Sequence, residues 1–534
     1  MSVVRPLDVA ALALAAATLG VIVTGGVRVG GLALTRPEDF LVAMAVVIAL
    51  RAFVAPIALP RVDARRAVVV GVAVYFLLMG FIVVTRHWAL RTHALDLGQY
   101  VQIVWNIAQG SGPMLTQVPT YVAADEMNAW GDHLHLIFYL FAPLQWIAPG
   151  PIPMLVAQTV ILGAGGLAVF AYARRRVGEP AGAAFALLYL ANPSLHGINV
   201  RDIHSAAFAI PLIIAAAVAF DAKRYGWCAV ALVATLAGRE DAAVAVVGFA
   251  VWLALARGRW LAGVALAVAA TTLLAVDIAW VMPRFLGGTY NHLNRYQHLG
   301  GSLGEILVSI AFRPWRWLAL VLTPAKLVYL VALLAPLAFL PLLASRVLAA
   351  ALPGLAMNLL SLDPKLFNYQ SQYQAFVLPF LVLAAVNGYA RLREAAGSRR
   401  LFGRHGAASA LGAAFVLSTV LTARTVNDLG VTFWRHGPIH RDAYTLMARV
   451  PPTAAVSTNE RLAPHLSTRR EIYVFPRGLP RSDYILDLSN IAPRVPADLY
   501  EEIARQGPWG LWRHRIKADY KGSGVLIIRL SLFR

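Results

Sequence analysis

Four short stretches hold most of the side chains in this sequence that could carry a proton, ligate a metal or neutralise a phosphate. HALDLGQYVQIVWNIAQG (93–110) bears Asp96 with Tyr100, Gln102, Trp105 and Asn106. GDHLHL (131–136) offers Asp132, His133 and His135, VRDIHS (200–205) offers Arg201, Asp202 and His204, and GRED (238–241) offers Arg239, Glu240 and Asp241. Asp96 and Tyr100 are four apart, so on a helix they share a face. A positioned carboxylate can act as a general base. Neighbouring Asp and His side chains can ligate a metal, although His-x-His is a weak signal without a third fixed ligand. Guanidinium groups can stabilise charge developing on a departing phosphate. Each stretch also has a plainer reading: Asp96 as a helix cap, Arg239 and Asp241 as a local ion pair. Their repetition at the ends of apolar runs favours a functional role, because ionisable groups near hydrocarbon are costly.

The elements that must position these groups are membrane helices. The chain has 534 residues, 59% hydrophobic and 14% charged, with a mean hydropathy of +0.64. A soluble chain would carry about a quarter charged residues. Runs of span length recur. They predict about thirteen spans, at 9–27, 40–59, 67–84, 152–172, 181–198, 205–221, 226–238, 242–256, 261–281, 326–344, 347–361, 374–390 and 406–423. The first lacks a small-residue cleavage site and more spans follow, so it reads as a helix, not a signal peptide. The segment 134–148 is apolar but short, and is expected to lie in the interface or re-enter. Ala-rich spans permit close helix packing.

The net charge of +20 reflects basic clusters at Arg61/Arg65/Arg66, Arg174–Arg176, Lys223/Arg224, Arg257/Arg259 and Arg391–Arg404. Such clusters mark cytoplasmic loops. Without an aromatic-interleaved basic strip they exclude a nucleic-acid partner. Between Arg91 and Arg174 there is no Lys or Arg, while Asp96, Asp125, Glu126 and Asp132 occur. That loop therefore reads as extracytoplasmic, with the N-terminus cytoplasmic. The single Cys228 cannot form an intramolecular disulfide and reads as packing.

Residues 1–66 read as two N-terminal spans, 67–424 as a transmembrane core with an outer loop 85–151, and 425–534 as a small extracytoplasmic α/β domain. In the last, AAVST, EIYVFP, YILDL and GVLIIRL read as strands and ADLYEEIARQ as a helix. It carries 16 Lys+Arg and 10 Asp+Glu. NERLAPHLSTRR (459–470) reads as a surface helix and turn, with a substrate-facing loop as the alternative.

The D-L-G-Q-Y-V-Q run after a span, H-x7-P-L from His135 and V-A-Q at 156–158 resemble a family of bacterial and archaeal polytopic membrane proteins of unknown function. RDIHSAAFAIP (201–211), GREDAA (238–243), NRYQHLGGSLGEI (294–306) and VSTNERLAPHLSTRREIYVFP (456–476) extend the likeness to roughly residues 67–490, with Asp202 standing where that family usually has Glu. Its architecture is similar to the C-type glycosyltransferase (GT-C) superfamily. The resemblance implies a glycosyltransferase in the cell membrane that moves a sugar from a polyprenyl-phosphate donor to an extracytoplasmic acceptor. It implies Asp96 as the loop acid and general base and 97–110 as a juxtamembrane helix; by their position at an outward helix end, Glu240 or Asp241 would support the site through a metal or by holding Arg239. Arg201, Arg239, Arg295 and Lys365 would meet the phosphate, while Tyr100, Gln102, Trp105, His204, Tyr290 and Tyr296 would contact sugar or prenyl chain. Asp132, His133 and His135 would hold a divalent cation, Mg or Mn. The rival readings are a transporter or flippase, which would place polar groups at the midplane, and a non-catalytic membrane protein.

Overall fold

The computed structural model of the protein describes residues 4–54, 62–287, 290–398 and 406–516. The expected strand GVLIIRL (524–530) and Arg61, Arg399, Arg400 and Arg404 lie outside the described residues. The chain forms two compact units: one from residues 1–86, 130–138 and 155–434, the other from 87–129, 139–154 and 435–534.

The first unit is helical. Val4–Thr24, Ala64–Trp88, Pro151–Val177, Trp260–Leu286 and Gly406–Leu429 are long and apolar enough to cross a membrane, and the bent pair Pro314–Val321 and Pro324–Leu337 makes a sixth candidate. The count of thirteen spans is not confirmed. Proline and capping side chains divide several apolar runs that looked continuous. The run 181–198 breaks at Asn192, whose side chain accepts from Ser194 N to start Pro193–Val200. The run 326–344 is cut at Pro336 and Pro341, with Ala338 and Phe339 left-handed between them.

The interior is aromatic and small-residue packing: Tyr172, Phe185, Tyr189, Phe249, Trp252, Phe376 and Phe380 are fully buried. Gly248 permits one close approach, since a Cβ there would lie 2.6 Å from both the Ala350 carbonyl oxygen and the Phe380 ring. Leu77, Val69, Val264 and Val268 are exposed, as an apolar surface solvated by lipid should be. At one end Arg176 and Arg257 converge on Asp221, and Arg65 meets Glu179 at 2.9 Å. Three of the basic clusters thus share an end, as the charge pattern requires.

The second unit holds a five-stranded sheet in the order Ile472–Val474, Val456–Thr458, Tyr484–Leu488, Trp509–His514, Tyr500–Gln506. The first three are parallel and the last two join antiparallel. Three expected strands are present, but ADLYEEIARQ is not a helix: Tyr500–Gln506 pairs with Trp509–His514 across Gly507, which is left-handed. Ladder pairing with a buried strand overrides the helix propensity of Glu, Ala, Arg and Gln. The boundaries also differ from 425–534, because the loop 87–129 completes this unit. Leu90 and Ala94 enter the core formed by Leu446, Val456, Leu486 and Leu511. Arg477 donates to the carbonyls of Val122 at 2.6 Å and Ala124 at 3.0 Å. NERLAPHLSTRR is correspondingly not a surface element: Leu462, Ala463 and Ser467 are buried, and Arg469 donates inward to the carbonyls of Leu466 and Ala454.

Candidate functional site

Two of the four polar stretches meet in the first unit. The loop 131–135 presses on the end of Met282–Leu286, where a Cβ on Gly131 would lie 2.9 Å from the Leu286 nitrogen. The extended backbone at Arg239 leads into a single tight turn, Glu240–Ala242, before the helix Ala243–Arg257. This turn aims Glu240 at the loop. His133 Nδ1 lies 2.7 Å from Glu240 Oε1, Leu134 N donates to Oε2 at 3.1 Å, and the Tyr290 hydroxyl donates to Oε1 at 2.8 Å. A buried carboxylate with three donors is satisfied.

The 290–296 segment brings a residue that sequence reasoning missed. His292 Nε2 lies 3.0 Å from Asp132 Oδ1, and its ring stacks on that of His133 at 4.4 Å and 6°. Asp132, His133 and His292 can each present a ligand atom within 4.8 Å of the others. The expected third ligand, His135, is instead turned to the Ser205 hydroxyl at 2.8 Å and buried. His135 turns its Nδ1 to Ser205 and so stands outside the group formed by Asp132, His133 and His292. With Glu240 on its Nδ1, His133 keeps Nε2 for a ligand, the carboxylate–histidine arrangement that orients metal-bound imidazoles.

The electrostatics follow from these contacts. Burial opposes charge on His133, but Glu240 and Asp132 outweigh it and its pKa is raised. Burial likewise opposes the Glu240 carboxylate, yet His133 and Arg239 hold it well below its usual range. His292 is lowered by burial and by His133, and His135 is pushed down to about 3 by burial.

Beside this cluster is a cavity of ≈ 250 Å³. Its polar lining is Asp241, Tyr290, His292, Arg295, Tyr296 and Tyr373, and its apolar walls include Leu274, Ile278, Ile306, Ile310 and Leu360. Arg239 grips Asp241 with two bonds, at 2.6 and 2.5 Å, and lies 5.6 Å over the Tyr373 ring. Arg295 lies 5.2 Å over the same ring, 3.4 Å from Asp363. Tyr373 was not singled out from the sequence; nothing local marks it. The Tyr296 hydroxyl donates to the Met357 carbonyl at 2.8 Å.

Other expected site residues fall elsewhere. Lys365 is exposed and does not line the cavity. His204 is buried beneath its turn, where Gln158 accepts from its backbone N at 2.8 Å and donates to the Asp202 carbonyl at 2.7 Å. Those two bonds secure Asp202, whose φ of 61° is left-handed. Arg201 lies at the rim of a different cavity.

The first polar stretch belongs to the second unit. Asp96 is half-buried within a π-helical turn, Ala94–Gly98, that runs into Gln99–Ala108. It does not cap that helix: Gly98 occupies the cap position and no side chain bonds there. Tyr100 is buried and Trp105 half-buried. Gln102 is not accessible to a substrate. It is fully buried, donates to Thr116 Oγ1 and the Arg470 carbonyl at 2.9 Å each, and accepts from Thr116 N at 3.0 Å. The polar side of this amphipathic helix therefore faces the protein and joins loop to sheet.

The fold defines a membrane protein with several spanning helices. Residues 86–497 match the family described as "Predicted membrane protein (DUF2079)", and the chain belongs to that family. No curated protein matches the sequence. Among solved structures, ArnT from Cupriavidus metallidurans in the apo state is similar, with a TM-score of 0.51 at 16% identity over 83% of this chain and 97% of that one. The same protein bound to undecaprenyl phosphate gives 0.49 over the same shares.

Proposed function

We propose that the protein is a membrane glycosyltransferase that moves a sugar from a polyprenyl-phosphate donor to an extracytoplasmic acceptor. The observation that supports this best is the ≈ 250 Å³ cavity, whose wall combines arginine, tyrosine and histidine with aliphatic side chains. An amphiphile with a charged head and a hydrocarbon tail suits such a lining. The GT-C-like fold agrees with the reading.

In this reaction the acceptor hydroxyl loses its proton to a base, its oxygen bonds to the anomeric carbon, and the bond from that carbon to the phosphate oxygen breaks. The polyprenyl phosphate leaves with the electron pair. Asp96 is the proposed base, a role typically worth ~10²–10⁴-fold in rate. Arg295, and Arg239 held by Asp241, supply positive charge beside the cavity. Asp132, His133 and His292 are the proposed ligands of a divalent cation, which when bound would compensate charge on the departing phosphate. Two imidazoles and one carboxylate suit Mn²⁺ or Zn²⁺ better than Mg²⁺. Glu240 acts as a positioning residue through His133.

The test is mass spectrometry of glycolipids and envelope glycans in a deletion strain, complemented by wild type or Asp96→Asn. The wild type should restore a lost sugar modification. Asp96→Asn should reach normal membrane abundance and fail to restore it. An unchanged glycan profile in the deletion strain would sink the glycosyltransferase reading. Near-normal complementation by Asp96→Asn would rule out the base.

A further inference from the structure

A second amphiphilic site lies on the first unit, built from residues that the proposed reaction does not use. Arg86, Arg201, Gln370, Arg424 and Thr425 line a cleft of ≈ 290 Å³. Asp428 also lines it and pairs with Arg86 at 2.9 Å. Among the described residues no carboxylate pairs with Arg201 or Arg424, and both are exposed at the rim. The cleft thus carries about two uncompensated positive charges. The left-handed turn at Asp202, fastened by Gln158, fixes the backbone next to Arg201.

Thr425 also lines a second cavity of ≈ 170 Å³, whose wall includes Leu78, Met79, Ile82, Val426 and Leu429. His196 reaches this groove as well: its Nε2 donates to the Leu190 carbonyl at 2.6 Å, and its Nδ1 has no partner among the described residues. The cationic cleft and the apolar groove thus share Thr425, and Arg86 stands one helical turn beyond Ile82 on Ala64–Trp88, so the two are neighbours along the same helices. Two arginines recognise a phosphate oxyanion through charge-assisted bonds, and the groove accepts hydrocarbon.

From this juxtaposition we infer that Arg201 and Arg424 bind the phosphate of an anionic lipid whose chain lies along the Leu78–Ile82 and Val426–Leu429 groove. The occupant is a lipid and not free phosphate, because the charged cleft shares its Thr425 wall with an aliphatic groove. The inference does not depend on glycosyl transfer, and its test measures binding alone.

The full-length protein in detergent is titrated with dioleoyl phosphatidate, with neutral dioleoylglycerol and with inorganic phosphate, and bound adducts are counted by native mass spectrometry. Wild type should bind phosphatidate at least tenfold more tightly than dioleoylglycerol. The Arg201→Gln/Arg424→Gln double variant should weaken phosphatidate about tenfold or more and leave dioleoylglycerol unchanged, since both charge-assisted contacts to the phosphate are lost. Both arginines are exposed, so folding should persist. Thr425→Trp, which fills the junction, should weaken both lipids. Unchanged phosphatidate binding by the double variant would overturn the inference. So would displacement of the lipid by millimolar inorganic phosphate, which would make the cleft a plain anion site.

Discussion

Substituting Glu240 by Gln tests how the histidine–carboxylate cluster is held. The carboxylate receives His133 and Tyr290 on one oxygen and Leu134 N on the other. Glutamine keeps a single oxygen, so in either orientation an amide NH₂ faces a buried donor. A buried unsatisfied donor costs about 1–3 kcal/mol, partly offset because a buried charge is removed. The protein should therefore stay folded, while His133 loses the partner that fixes its ring and tautomer. Loss of such an orienting partner typically weakens metal binding 10–100-fold. Isothermal titration of the purified, chelator-treated protein with Mn²⁺ or Zn²⁺ should show that loss in Glu240→Gln. His292→Ala should abolish the site, and His135→Ala should leave the affinity within about twofold. If His135→Ala were as damaging as His292→Ala, Asp132, His133 and His292 would not be the ligand set. Unchanged affinity in Glu240→Gln would remove the positioning role.

Three further outcomes are expected. The fragment 425–534 alone should fail to show cooperative unfolding by circular dichroism, because Thr116 exchanges two hydrogen bonds with Ile472 at 2.6 and 2.9 Å and Leu90 sits in the sheet core; a sharp melting transition would refute this. Single cysteines at Asp125 and Arg461, placed in a Cys228→Ser background, should react with an impermeant thiol reagent in intact cells while one at Gly178 does not; the reverse pattern would invert the proposed orientation. His465 is half-buried, and its pKa is held well below 6.5 by desolvation, then by His87. The unfolded chain takes up the proton first, so stability is complete above about pH 6.5 and falls below it by up to about 1.4 kcal/mol per pH unit. Protection factors of residues 443–488, corrected for the slower intrinsic amide exchange at low pH, should fall between pH 7 and 5, and constant or rising protection on acidification would contradict the assignment.

What the sequence revealed depended on range. Apolar runs marked the helices because lipid solvation is a local property of about 20 residues. The GRED and GDHLHL stretches stood out because ionisable groups interrupted those runs. Their pairing did not, since Glu240 and His133 are 107 positions apart. His292 was missed for the same reason, since it lies 160 positions from Asp132 and no ligand spacing ties the two. Gln102 misled for a related reason: a polar stripe on a helix announces a polar neighbour, and here that neighbour is backbone of the sheet unit. ADLYEEIARQ misled because its partner strand, not its own composition, decided its state.

The second unit has a consequence for synthesis. Its strands lie in 435–534, but the helix and loop that complete its core lie in 87–129, some 300 residues earlier. At about 5–20 residues per second, the earlier piece waits about 15–60 s for its counterpart. During that interval Gln102 and Thr116 have no sheet to bond, and Leu90 and Ala94 have no core to enter. The ribosome must thread most of the membrane helices before this unit can close. Its closure therefore reports that the intervening chain has been delivered, and a stalled or misinserted helix anywhere between leaves an open, protease-sensitive loop.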